Sequence, residues 1–365
     1  MKYRKLPHGT EEISEVGLGL GNIHTAEDKD IEAILRYAVE HGVNFFDLCC
    51  GRTDVYETFG RVVKGKRDKI YTQMHFGAVY ENDVYGFGRK LDVVKRSFDK
   101  VLRAGDLGYT DFGYVHCVDE DDDFEDIMKK GGIFDYIREM KRQGVVHHIG
   151  FSTHTPSIAH RFMDTGEVDL FMFSINPAYD YSKGEYGKGA AEERAALYAR
   201  AEKEGVGITV MKPFAGGQLL DARRSPLNMA LTHYQCMQYA LDRPAVLTCL
   251  PGVSSMDDVK TAVAFEHATA EEKDYSVLGS ATPAEAMGRC VYCNHCAPCP
   301  KGIDIGLVNK YYDLAKLGDD MAAGHYKNLN VHADACVQCG HCEKRCPFSV
   351  KQMTRMAEIK DYFGE

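Results

Sequence analysis

The chain has 365 residues, 44% of them hydrophobic and 27% charged, with a mean hydropathy of −0.34; this excludes a disordered chain, and the length suits one large barrel with a small appendage. A formal net charge of −10 at a pI near 5.8, with no basic stripe, disfavours nucleic acid and anionic lipid as partners. No apolar run approaches the roughly 18 residues of a membrane span and MKYRKLPHGTEEISEVG lacks the apolar centre of a secretory signal, so a cytoplasmic location without a membrane partner is expected.

Along residues 1–270, short apolar or β-branched runs alternate with segments of helical period. EVGLGL is followed by DIEAILRYAVEHG, NFFDL by VYETFGRVVKG, KIYTQMHFG by LDVVKRSFDKVLRAG, and DFGYVHC by IFDYIREMKRQG. VVHHIGFS, VDLFMFSIN, GITVMKP and AVLTCLPG continue the rhythm, each with a helical partner. Eight such units in about 250 residues predict a (β/α)8 TIM barrel. Helix ends are expected at His41-Gly42, Ala104-Gly105, Gln143-Gly144 and Glu204-Gly205, where glycine can cap. DEDDDFED (119–126) reads as a solvated loop whose acids suit a helix N-terminus, and GLGLGN (17–22) as the first barrel strand.

In a barrel of this kind the active site lies where strands end. Those ends carry Asn22 and His24, then Asp47 with Cys49, Cys50 and Arg52, then His75, His116, Ser152 with His154, Asn176 and Lys212. So many titratable groups at one rim point to a site rather than a structural edge. His147 and His148 fall at a strand start and are read as structural. Side-chain alternation lets only one of Cys49 and Cys50 face the barrel mouth; Cys50 is taken as the catalytic candidate, as nucleophile, hydrogen-atom donor or, with His75 and His116, metal ligand, against the alternative that both are apolar fillers. Lys212 with Gly216 and Gly217 of PFAGG can cradle a phosphate, or form a simple turn.

After a linker at 271–287, residues 288–365 form a separate, mainly α module. Eight of the thirteen cysteines lie there, in CVYCNHCAPCP (290–300) and CVQCGHCEKRCP (336–347). The second group matches the ferredoxin run C-x2-C-x2-C-x3-C-P, and the first is one residue shorter before its last cysteine. Because the fourth cysteine of such a run serves the other cluster, Cys290, Cys293, Cys296 and Cys346 are assigned to one 4Fe-4S cluster and Cys336, Cys339, Cys342 and Cys299 to a second. Two zinc knuckles are the alternative. His295 and His341 are read as ordinary loop residues.

MKYRKLPHGTEEISEVGLG, GVNFFD, RDKIYTQMHFG, GYTDFGYVH, HHIGFSTH and GVGITVMKPFAGG together resemble the aldo-keto reductases, and the cysteine-rich tail resembles the subgroup with a C-terminal ferredoxin-like domain carrying two clusters. The resemblance implies NADPH-dependent carbonyl reduction without flavin, through an Asp, Tyr, Lys, His tetrad. Asp47 matches the aspartate and His116 the histidine, whereas Arg52 stands where the tyrosine is expected and His75 where the lysine is expected. The basic residue and Glu-Asn pair that clamp NADPH in relatives are replaced in PGVSSMDDVKTA, which has no basic residue until Lys260.

A histidine ordinarily exchanges protons near pH 7, so His75 can replace the tyrosine and lysine, with Asp47 fixing its tautomer and His116 orienting a substrate oxygen. Arg52 would receive an anionic substrate group. The expectation is an iron-sulfur oxidoreductase acting on a small anionic, oxygen-bearing substrate, with ferredoxin or another carrier as partner and electrons passed through the two clusters. The alternatives are an NAD(P)H-dependent aldehyde or ketone reductase with structural or regulatory clusters, and a non-catalytic electron-transfer protein. A flavin would reconcile hydride and single-electron chemistry, but no flavin motif is readable.

Overall fold

The computed structural model describes residues 1–81, 84–184, 186–280, 287–316 and 319–364. Strands Tyr3–Lys5 (β1) and Glu12–Ser14 (β2) form an antiparallel hairpin. The main sheet then uses Leu18–Gly19 (β3), Phe45–Asp47 (β4), Tyr71–Phe76 (β5), a second hairpin of Ala78–Glu81 (β6) and Val84–Phe87 (β7), Thr110–Val115 (β8), Val146–Thr153 (β9), Leu170–Ser174 (β10), Gly207–Met211 (β11) and Val246–Cys249 (β12). Eight of these run parallel in the order β3, β4, β5, β8, β9, β10, β11, β12. Parallel bridges Val16↔Cys249 and Gly19↔Gly252 join the two ends, so the expected (β/α)8 barrel is present. Closure is tight at Gly17, where a Cβ would lie 2.6 Å from Leu250 Cδ2 and 3.0 Å from the Phe45 carbonyl oxygen.

The strands read as they do because both faces are covered: all six residues of β8 and all five of β10 are buried. Inside the barrel, Phe45, Phe112, Tyr114, Leu170, Met172, Leu247 and Leu250 pack with Leu6 and Ile13 from the first hairpin. That hairpin lies at the N-terminal strand ends, where Arg4 Nη1 donates to the Val246 carbonyl (2.7 Å) and Asn44 Oδ1 accepts from the Ser14 amide (2.8 Å). The opposite ends are thereby left for the site. Gly42, Gly144 and Gly205 cap their helices at φ of 88°, 74° and 68°, as expected; after Leu91–Ala104, Gly105 stays right-handed and Asp106 takes the positive φ of 48° instead.

The chain divides into two compact units: 1–176, 205–216 and 246–268 make the barrel sheet, and 177–204, 217–245 and 269–365 the second. The tail expected from 288 therefore groups with two segments lying earlier in the chain. Part of the expected linker 271–287, residues 281–286, lies outside the described residues. Among its described residues the second unit's regular elements are helical, the longer ones being Ala191–Glu204, His233–Leu241, Ile305–Lys316, Asp320–Lys327 and Gln352–Phe363. Ile303, Ile305, Val308, Tyr312, Tyr326, Met356 and Ile359 form a core there together with Cys296 and Cys342. Among the described residues no helix is long and apolar enough to cross a membrane.

His148, at the start of β9, is structural as expected. Its Nε2 lies 3.0 Å from Glu11 Oε1 and its Nδ1 3.1 Å from Asp169 Oδ2. Burial works against its charge, but hydrogen bonds to Asp169 and Glu11 outweigh it and raise the imidazole above its ordinary value. A raised folded value contributes stability that is complete below about pH 6.5 and is lost as pH climbs through the raised value. The barrel melting temperature of His148→Gln should therefore fall furthest below the parent near about pH 5.5 and converge on it toward about pH 8.5; a gap that widens with pH would contradict the pairing.

Candidate active site

Three adjacent strands set the centre. Asp47 closes β4, Gln73 and His75 project two residues apart from β5, and His116 follows β8, its amide donating to the Phe76 carbonyl (2.9 Å). His75 Nε2 meets Asp47 Oδ1 at 2.7 Å, and the two histidines face each other through their Nδ1 atoms at 3.0 Å. Beyond His116, the β6–β7 hairpin returns Tyr85, whose hydroxyl bonds to His116 Nε2. Asp47, His75 and His116 are 7, 6 and 6% exposed. The structure thus brings together the three expected groups and adds a tyrosine.

One proton arrangement satisfies this chain with both rings neutral. A carboxylate only accepts, so His75 Nε2 carries the hydrogen donated to Asp47 and its Nδ1 is bare. His116 Nδ1–H then donates to His75, and the bare His116 Nε2 accepts from the Tyr85 hydroxyl. Burial pushes the His116 imidazole well below its usual range, and His75, Arg89, Lys212 and His154 reinforce this, consistent with a neutral ring. Burial, then Cys49, Cys117 and Asp47, raise the Tyr85 phenol, which keeps it a donor. Gln73 Nε2 also donates to Asp47 Oδ1 (3.0 Å), while its Oε1 accepts from Thr209 Oγ1 (3.1 Å), which orients the amide.

Two expectations are corrected here. Cys50 is 1% exposed, its amide donates to Tyr56 Oη (3.3 Å) and burial raises its thiol; Cys49 is the partly exposed residue whose sulfur lies within 4.8 Å of ring nitrogens of His75 and His116. The Tyr56 hydroxyl also donates to the Leu48 carbonyl (2.7 Å), which fixes this turn. Arg52 is committed elsewhere: its guanidinium bonds Asp28 and Asp54 and donates to the His24 carbonyl (3.2 Å), so its charge is neutralised by its own surroundings. A positive group beside His116 is Arg89, which pairs with Asp123 (2.5 Å) and donates to the Cys117 carbonyl (2.9 Å), while its buried Nη1 has no hydrogen-bond partner.

The remaining rim residues form a second constellation. Asp119 receives the His154 amide (2.6 Å) and lies 2.9 Å from its Nδ1, and Lys212 Nζ reaches His154 Nε2 at 2.9 Å. Burial opposes ionisation of Asp119, but the hydrogen bonds and charge of His154 hold it well below the usual carboxylate range. Ser152 Oγ accepts from the Cys117 amide (2.7 Å) and Asn176 Nδ2 donates to the Lys212 carbonyl (2.9 Å), so both position the chain. Cys117 and Lys212 sit at φ of 43° and 54°, left-handed conformations that cost about 1–3 kcal/mol each and cluster at functional sites. Asn22 and His24 are exposed; His24 Nδ1 bonds the Gly21 carbonyl (2.7 Å) of its own turn. Gly216 and Gly217 hold φ of 65° and 83°.

In the second unit eight of the cysteines gather in two groups of four. Cys290, Cys293, Cys296 and Cys346 line one small cavity with Pro347, Phe348 and Val350; Cys299, Cys336, Cys339 and Cys342 line another with Ile303, His341 and Met356. Each loop also turns left-handed at the same two places: Tyr292 (61°) and Asn294 (56°) in the first, Gln338 (56°) and Gly340 (71°) in the second. His295 is paired with Asp274 (2.8 Å), whereas His341 Nε2 is buried with no hydrogen-bond partner.

The barrel, with an aspartate and a histidine at its strand ends, defines an oxidoreductase of the aldo-keto type. Residues 15–235 match the Aldo/keto reductase family, to which the chain belongs. It is 22% identical over 285 residues to the uncharacterized oxidoreductase YqkF of Bacillus subtilis, covering 71% of this chain and 89% of that one. It is 24% identical over 232 residues to the L-glyceraldehyde 3-phosphate reductase of Escherichia coli K12, covering 60% and 63% respectively. Among solved structures, the holo form of aldo-keto reductase AKR11C1 from Bacillus halodurans superposes with a TM-score of 0.62 at 22% identity, over 78% of this chain and 97% of that one. A putative aldo-keto reductase from Pseudomonas aeruginosa gives 0.55 at 19%, over 72% and 95%.

Exposure and thiol burial predict unequal cysteine reactivity. Under anaerobic iodoacetamide, peptide mass spectrometry should show Cys49 alkylated about tenfold or more faster than Cys50. Equal rates would return Cys50 to the site.

Proposed function

We propose that the chain is an iron-sulfur member of the family, which reduces a small oxygen-bearing substrate at the Asp47, His75, His116, Tyr85 chain and holds two 4Fe-4S clusters in its second unit. The observation that carries the cluster reading is the membership of the two cysteine cavities, since each takes three cysteines from one loop and the fourth from the other. The donor set fits: four cysteine sulfurs each, on loops that turn left-handed at matching positions, and the unpartnered His341 Nε2 beside one cavity. When bound, such clusters supply electrons one at a time.

The barrel residues handle the proton. Tyr85, 42% exposed at the outer end of the chain, gives its O–H proton to the reduced substrate oxygen and recovers one from solvent; the bare His116 Nε2 orients the hydroxyl, and Asp47 anchors the inner end by keeping His75 in one tautomer. Tyr85 thereby takes the part that the family assigns to the residue replaced here by Arg52. The anionic group expected on the substrate loses Arg52 as its partner, and Arg89, with its unpartnered Nη1, is the group offered in its place.

A second reading, NAD(P)H-dependent carbonyl reduction with clusters in a supporting role, is favoured by family membership and by the named activity of the E. coli relative. The two readings separate when small aldehydes are offered with NADPH or with reduced methyl viologen as donor. Turnover with viologen and none with NADPH supports the single-electron reading; the reverse supports the second, and nicotinamide fluorescence on binding is readable because the chain has no tryptophan.

Anaerobically purified protein is expected to hold about eight iron and eight sulfide per chain, and Cys339→Ser about half of each; two zinc ions and no sulfide would refute the clusters. His75→Gln should abolish turnover with cluster absorbance intact, and Tyr85→Phe should lower kcat by about 10²- to 10⁴-fold. Full activity in Tyr85→Phe would remove tyrosine from the reaction.

A further inference from the structure

We infer that Cys49, His75 and His116 form a binding site for one borderline-soft divalent metal ion of the zinc class, at the active end of the barrel. One donor atom from each of the three lies within 4.8 Å of the other two. Convergence alone is common, so the orientation of the rings decides the matter. The two histidines bring their Nδ1 atoms together, 3.0 Å apart, and both have the opposite nitrogen engaged, His75 Nε2 by Asp47 at 2.7 Å and His116 Nε2 by the Tyr85 hydroxyl. Metal-binding histidines donate their outer ring N–H; Asp47 fixes that tautomer at His75, and at His116 the Tyr85 hydroxyl, which accepts as well as donates, can receive the Nε2 hydrogen when Nδ1 takes the ion. Gln73, which donates to the same Asp47 oxygen, holds the carboxylate in turn.

The donor set selects the ion. Two imidazoles and one thiolate suit zinc and its neighbours rather than magnesium or calcium, which prefer oxygen. The histidines are 6% exposed while Cys49 is only partly buried, so three ligands come from the protein and the open side is the one with Cys49. Three protein ligands with one open position are the arrangement of catalytic rather than structural zinc.

The second constellation makes an instructive contrast. Cys117, Asp119 and His154 also bring donor atoms within 4.8 Å, yet His154 has Nδ1 on Asp119 and Nε2 on Lys212 Nζ at 2.9 Å. Both nitrogens are taken, one of them by a cationic side chain, so that group is a charge relay and not a metal site. At His75 and His116 the two Nδ1 atoms share one hydrogen between them, so one of the pair is bare already. Binding moves the His116 hydrogen from Nδ1 to Nε2, where Tyr85 Oη accepts it, and releases the Cys49 thiol proton to solvent, so relay and ion are alternative states of one site. This inference goes beyond the proposed reaction and is independent of the cysteine quartets.

The test uses the anaerobic, cluster-loaded protein dialysed to equilibrium against micromolar Zn2+, with zinc, iron and sulfide counted per chain. One zinc beyond the clusters is expected, with X-ray absorption showing one sulfur near about 2.3 Å and nitrogens near about 2.0–2.1 Å. Cys49→Ser should lose it at unchanged iron and sulfide, and Asp47→Asn should weaken it by about 10- to 100-fold. Zinc retained equally by Cys49→Ser and by His116→Asn, or none bound by protein with its full iron, overturns the site. Missing iron and sulfide with zinc still lost in Cys49→Ser would sink the cluster reading alone and leave this one standing.

Discussion

Asp47 organises the site. A buried carboxylate can only accept hydrogen bonds, and one 2.7 Å from His75 Nε2 decides where that ring keeps its hydrogen. From there each partner's role follows, through His116 to Tyr85, because a neutral imidazole has one donor and one acceptor. Removing the carboxylate would free both rings to flip, and the direction of the chain would no longer be specified. Gln73 and Thr209 complete the arrangement from behind, so the orientation of a surface-facing phenol is set by groups deep in the barrel.

The barrel makes that chain by parallel pairing. β4, β5 and β8 are neighbours in register, with Asp47 opposite Gln73 and His75 opposite Tyr114, so residues far apart in sequence end on one rim. The hairpin of β6 and β7 is the departure from the plain alternation of strand and helix. It extends from the end of β5 and folds back, which carries Tyr85 over His116. A phenol hydroxyl thereby reaches the rim from a loop other than the turn after β4, where Arg52 is locked into Asp28 and Asp54.

The second unit follows a different logic. Its loops wind alike at Tyr292 and Asn294 and at Gln338 and Gly340, and each sends its last cysteine to the other loop's group. Under the proposed cluster reading, such an exchange would tie two segments of chain through the bound group, so that ligand and fold support each other. Two other cysteines of these loops, Cys296 and Cys342, are buried beside Ile305 and Met356 in the core of this unit.

The sequence by itself determined the barrel, since strand and helix periods depend on local patterning, and it placed Asp47, His75 and His116 on one rim, since strand ends are legible from the runs that precede them. The likeness of the two cysteine runs to the ferredoxin pattern, in which the last cysteine serves the other group, gave the division that the two cavities show. Only the tertiary structure decided that Cys49 rather than Cys50 faces the histidines, a matter of one residue's phase at an irregular turn pinned by Tyr56. It alone showed Arg52 neutralised by Asp28, twenty-four residues away, and Asp119 drawn out of an acidic run to His154. Tyr85 carried no signal at all, because a tyrosine in a hairpin becomes part of a site only when the backbone reverses and lays it across a strand end formed thirty-one residues later. Local pattern fixes elements and their ends; which side chains meet there is set by long-range packing, which no short stretch of sequence contains.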